Sequence, residues 1–169
     1  MTTTTTQHGL LGIYLNDHLA GATAGMELAR RMAASAERGT EVAPVLTKLA
    51  AEITEDRSEL LKIMAALEIR VVGYKVFAAW AGEKAARLKL NSRLIARSPL
   101  SDLEEAEALR LGVEGKAAGW RSLRALVGSE GRLDAGRLDG LLARAIRQSA
   151  TLEALRTSLA EQVLASGTR

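Results

Sequence analysis

Four stretches of this chain gather their apolar residues on one arc when each residue is turned about 100° from the last. That pattern leaves little choice of fold class. Residues 10–36 align Leu11, Leu15, Leu19, Ala22, Met26, Ala29 and Met32, with Asn16, Thr23, Glu27, Arg30 and Arg31 opposite. Residues 45–68 line up Leu46, Leu49, Ala50, Ile53, Leu60, Ile63, Met64 and Leu67, with Pro44 in the first turn. A third helix is expected from "SPLSDLEEAE" to about Val127, with Ser101 as N-cap, Glu104 completing a capping box and acids favoured by the helix dipole. The turn "GSEGRLDAG" precedes a fourth stripe over 138–164, carrying Leu141, Leu142, Ala145, Leu152, Leu155, Leu159 and Val163.

Composition agrees with helix. Ala, Leu, Arg and Glu dominate, aromatics make up 3% and there are two prolines, Pro44 and Pro99, so few β-branched or aromatic runs compete. At 169 residues and 47% hydrophobic the chain suits one domain with a sizeable core. We expect a single helical-bundle domain over 9–169 and a disordered Thr-rich tail over 1–8. The absence of cysteine rules out disulfides, thiolate metal sites and cysteine nucleophiles. Residues 1–9 lack the basic start and apolar core of a signal peptide, and no apolar run is long enough to span a bilayer. A cytoplasmic setting is the expectation.

Residues 69–97 are too long for a plain loop. Phe77, Ala81, Ala85, Leu88 and Ile95 share one face and Lys75, Lys89 and Arg93 the other, which predicts a helical crossover. The expected architecture is therefore all-α, an antiparallel four-helix bundle with one long connection between its second and third helices. Residues 70–97 are also basic, with Tyr74, Phe77 and Trp80 interleaved. Such a stretch could meet nucleic acid or an anionic membrane, but the preferred reading is a solvated crossover that complements the acidic runs 52–59 and 102–107. The net charge of +3 is too small to argue for nucleic acid.

Each apolar stripe carries a polar interruption. On the first helix His18, Gly21 and Gly25 fall within about 60° of one another at the centre of the arc. Glycine inside a helix costs about 1 kcal/mol against alanine, so these glycines, with Gly112, Gly115 and Gly119 of "GVEGKAAG", are expected to let two helices approach closely; the other reading is room for a ligand. On the second helix Arg57 lies at the centre of the stripe and Asp56 on its flank. A buried arginine needs a carboxylate, for which Glu107 and Glu114 on the third helix are candidates. The fourth helix contributes Gln148. His18, Asp56, Arg57, Glu107, Glu114 and Gln148 thus form either a hydrogen-bonded layer that sets helix register or the lining of a central pocket.

The layout of four helices with a long second-to-third crossover resembles the ferritin-like superfamily, and the chain is also similar to alanine-rich bacterial proteins without an assigned activity. Metal-binding ferritin-like proteins place a glutamate on each of two helices and a Glu-x-x-His pair on each of the others. Here Glu114 matches one lone glutamate, Glu27 faces about 180° away from His18 on the wheel, and no Glu-x-x-His occurs, since His8 and His18 are the chain's two histidines. The resemblance implies a bundle without a standard di-iron centre. No phosphate-binding loop or Ser/His/Asp set stands out; the Gly-Lys of "GVEGKAAG" lies inside a helix. We expect no catalytic residue and no cofactor, with function through self-assembly or a protein partner. The alternative is a metal or small-ligand protein, iron or another divalent ion being the metal, with Asp56, Glu107 or Glu114 and His18 around the bundle centre.

Overall fold

The computed structural model describes residues 3–36, 39–72 and 99–166. Among them are four helices and no strand: α1 (Thr3–Ser35), α2 (Val42–Ala66), α3 (Pro99–Leu126) and α4 (Ala135–Ser166). The crossover predicted within 69–97 lies outside the described residues from residue 73 onward, and with it Tyr74, Phe77, Trp80 and nearly all of the basic stretch. Among the described residues no helix is long and apolar enough to cross a membrane.

Two starts differ from expectation. The first helix begins at Thr3, inside the stretch read as a tail, because extending an established helix fixes one residue per new hydrogen bond and avoids the cost of a nucleus. The third begins at Pro99, so Ser101 sits inside the first turn rather than capping it. Proline's fixed φ and missing N–H suit that first position.

The ends are closed by local chemistry. At the end of α2, Glu68 adopts φ +56° and the Ile69 N–H reaches back to the Met64 carbonyl at 2.9 Å, the left-handed closure that usually takes glycine. Asp134 caps α4, its Oδ1 accepting the Arg137 N–H at 2.9 Å, which makes the turn "LDAGR" a helix start.

The helices form a ring. α1 packs on α2 and on α3, α3 packs most extensively on α4, and α4 touches α2 more sparingly; the diagonal pairs are not in backbone contact. Paired residues run in opposite order on neighbours: Tyr14 with Ser122 and Arg31 with Glu105 across α1 and α3, Glu55 with Arg144 and Glu59 with Arg137 across α2 and α4. The stripes predicted from the sequence supply the core, with Leu15, Met64, Leu109 and Leu152 at or below 1% exposure.

The α2–α4 side is polar. Glu52, Glu55 and Glu59 face Arg137, Arg144 and Arg147 around a shallow groove. The acidic run 52–59 is thus met by arginines of α4, and Glu105 and Glu107 by Arg31 and Arg156; the crossover expected to complement these acids lies outside the described residues. Neighbouring helices hold these cations within reach over their whole length.

Asn16 was assigned to the polar face of the first helix but is 8% exposed. Its amide donates to the carbonyls of Gly12 and Arg70, and its Oδ1 accepts the Val72 N–H at 2.8 Å. The side chain ties the chain beyond α2 to α1, satisfying the Arg70 carbonyl and the Val72 N–H, which lie beyond the helix.

Candidate functional site

Between α1, α2 and α3 lies a cavity of about 600 Å³. The cavity is open on one side, and its lining includes Gly21 and Gly25 of α1 and Gly112 and Gly115 of α3, of which Gly21, Gly112 and Gly115 are exposed. A Cβ built on any of these four meets nothing within 4 Å. The close helix approach expected from these glycines is therefore not what they provide; they leave space. Gly119 is the exception, where a Cβ would stand 3.0 Å from the His18 ring, so close packing holds at one position of the ridge.

His18 stands beside this cavity, half-buried, its ring edge-on to Tyr14 with centroids 4.4 Å apart. The Tyr14 hydroxyl donates to Ser122 Oγ at 2.9 Å, which fixes the phenol that the imidazole leans on. Burial lowers the His18 pKa below its ordinary 6.5, opposed by the negative charge of Asp17. Burial thus favours the neutral ring, which offers one donor and one acceptor nitrogen.

Arg57 also lines the cavity. Its Nε donates to Thr23 Oγ1 at 2.8 Å, while the Thr23 hydroxyl gives its own proton to the Leu19 carbonyl at 2.8 Å. That second bond turns the hydroxyl lone pairs toward the guanidinium. Among the described residues no carboxylate pairs with Arg57, contrary to the expectation that Glu107 or Glu114 would.

The buried carboxylate is instead Asp56, 1% exposed. Its Oδ2 accepts from Lys116 Nζ at 2.5 Å and from Gln148 Nε2 at 3.2 Å, and Arg144 Nε lies 3.3 Å from Oδ1. That last contact is an ion pair without hydrogen-bond alignment, since Oδ1 makes no hydrogen bond. Gln148, also 1% exposed, accepts from Lys116 through Oε1 and donates to Glu52 at 3.1 Å. Burial lowers the Lys116 pKa, against the charge and hydrogen bond of Asp56 that raise it.

Of the six residues singled out in the sequence, Asp56 and Gln148 meet in one buried network. His18 and Arg57 line the adjoining cavity outside it. Glu107 and Glu114 are exposed, Glu107 beside Arg156 at 3.7 Å and Glu114 accepting from Ser149 Oγ. They point outward because α3 turns its Leu109, Val113, Ala117 and Trp120 face to the core, placing 107 and 114 on the rim toward α4.

Lys116, the centre of the network, is not among the six residues singled out from the sequence. A signal existed: Leu109, Val113, Lys116, Trp120 and Leu123 are spaced four, three, four and three apart, the spacing of an inward seam. Lysine at such a position calls for a buried acid. Trp120, 3% exposed, lines the cavity as well, and its indole N–H has no hydrogen-bond partner.

The donor set does not suit a metal ion. Among the described residues no three His, Asp or Glu side chains converge, Asp56 is engaged by an ammonium and a guanidinium, and the exposed Glu114 belongs to the rim toward α4. What the cavity offers is apolar wall with a few polar groups, the ordinary make-up of a small-molecule site. No family model matches the chain, and no curated protein or solved structure is significantly similar to it.

Proposed function

We propose that this protein is a helical bundle that binds a small organic molecule between α1, α2 and α3. The observation that carries this reading is the cavity itself, lined mainly by apolar side chains and including the buried Trp120, whose indole N–H has no hydrogen-bond partner. Glycine in mid-helix is unfavourable by about 1 kcal/mol each, and at the rim of this cavity the missing side chains keep its entrance open. The volume falls within the range of about 300–1,000 Å³ usual for such sites.

The same reading takes the helices as antiparallel neighbours joined with ferritin-like connectivity, in the order up, down, down, up. The opposite running order of the paired residues on α1 and α3 and on α2 and α4 supports it. In bundles of this kind ligand sites lie in the centre, between facing helices.

The test is a fluorescence titration with N-phenyl-1-naphthylamine, a neutral and largely apolar aromatic probe. Binding should saturate at one probe per chain and be lost in Gly21→Leu and Gly115→Leu, which add bulk to two residues of the lining, while circular dichroism stays unchanged. Binding that survives both substitutions would place the probe elsewhere and sink the reading.

A second reading, assembly with copies of itself, draws on Leu10, Ile13 and Leu111, each more than 60% exposed. Light scattering on the purified chain, with Leu111→Lys as comparison, distinguishes a dimer from a monomer.

A further inference from the structure

We infer that the ligand of this cavity carries an anionic head, bound at Arg57, on a flat and largely apolar body. This rests on the ligand-binding reading above and adds the chemical class. The ground for it is a missing counter-charge. Four described arginines are partly buried: 57, 110, 144 and 156. Arg110 holds Glu153, Arg144 holds Glu55 and Asp56, and Arg156 holds Glu153 and Glu107. Arg57 alone of the four has no carboxylate, although removing a guanidinium from water is costly without an anion.

The surroundings do not supply one. Of the two carboxylates that line the cavity, Asp56 is committed to Lys116, Gln148 and Arg144, and Asp17 is exposed and outside ion-pair range of Arg57. Lys116 is neutralised in turn by Asp56, so among the cations of the lining Arg57 is the one without a paired acid, and the other charge on the lining is that of the exposed Asp17. Its Nε is spent on Thr23, which holds the planar group in place and leaves both Nη nitrogens, the end of the fork that matches a carboxylate or sulfonate. A flat body fits because the lining includes glycines of α1 and α3, with the Trp120 ring among them.

The experiment pairs two probes of the same shape on the full chain: 8-anilinonaphthalene-1-sulfonate, which is anionic, and N-phenyl-1-naphthylamine, which is neutral. Wild type should bind the sulfonate about tenfold more tightly, a difference of one good charge-assisted contact. Arg57→Met should erase that preference while leaving the neutral probe's affinity within about twofold, and Arg57→Lys should keep part of it. Urea denaturation of both variants establishes that they fold. Equal affinity for the two probes in wild type, or a preference that persists in Arg57→Met, overturns the anionic head while the cavity itself stands. If neither probe responds to Gly21→Leu or Gly115→Leu, both the head group and the ligand-binding reading fall.

Discussion

Lys116 of α3 reaches Asp56 of α2 across the diagonal of the bundle, Nζ to Oδ2 2.5 Å, although the two helices make no backbone contact. The side chains alone bridge the centre. With Gln148 from α4 on both of them, three helices are held in one register, since sliding any of them by a turn would bury an unmatched charge.

Removing the lysine should therefore be costly. Lys116→Met leaves Asp56 buried beside a partly aligned Arg144, and we expect a loss of about 3 kcal/mol in urea denaturation. Adding Asp56→Leu should recover much of it, because an apolar pair of similar volume needs no counter-charge. Arg57→Met, by contrast, should cost about 1 kcal/mol or less, as it removes one hydrogen bond to Thr23 and strands no acid. Equal losses for Lys116→Met and Arg57→Met would contradict this assignment of the buried pair.

The glycines should divide into two kinds. Gly21→Ala and Gly115→Ala place a methyl group in open space and should stabilise the protein by about 0.5–1 kcal/mol each. Gly119→Ala puts the same methyl 3.0 Å from His18 and should instead cost about 1 kcal/mol, relieved when His18→Ala is combined with it. Thermal melting of the three single variants and the double variant reads the pattern directly.

Stability should fall in mild acid through His18. Its pKa is lower folded than the ordinary 6.5, so between those two values the unfolded chain binds more protons and stability rises with pH. The loss begins as pH drops through 6.5 and levels off below the folded value. In His18→Leu that part of the pH dependence between 7 and the folded value should disappear, measured by denaturant midpoints across the range; an unchanged slope would show that His18 titrates as it does in water.

Glu68 sits at φ +56°, where a side chain is strained and glycine is not. Glu68→Gly should raise stability by about 0.5–1 kcal/mol, even though it removes the exposed contact to Arg132 at 3.6 Å, because ion pairs at the surface contribute little. A melting temperature that drops in this variant would show that the Arg132 contact outweighs the backbone strain.

The apolar repeats by themselves determined that the described segments are helical, where the long helices run to within a few residues except at the start of α1, and which leucines are buried. The 3.6-residue period is a property of each segment alone. They also brought attention to Asp56, Arg57 and His18 as breaks in the stripes. The repeat puts Arg57 at the centre of the α2 stripe and Asp56 on its flank, and the neighbours reverse that: Asp56 is the buried one, meeting Lys116 and Gln148, while the half-buried Arg57 meets Thr23 of α1. Likewise, glycines 21, 25, 112 and 115 look the same in sequence whether they join two helices or part them. Which of these occurs depends on the separation of α1 and α3, set by side chains such as His18 against Gly119, and no single helix contains that distance.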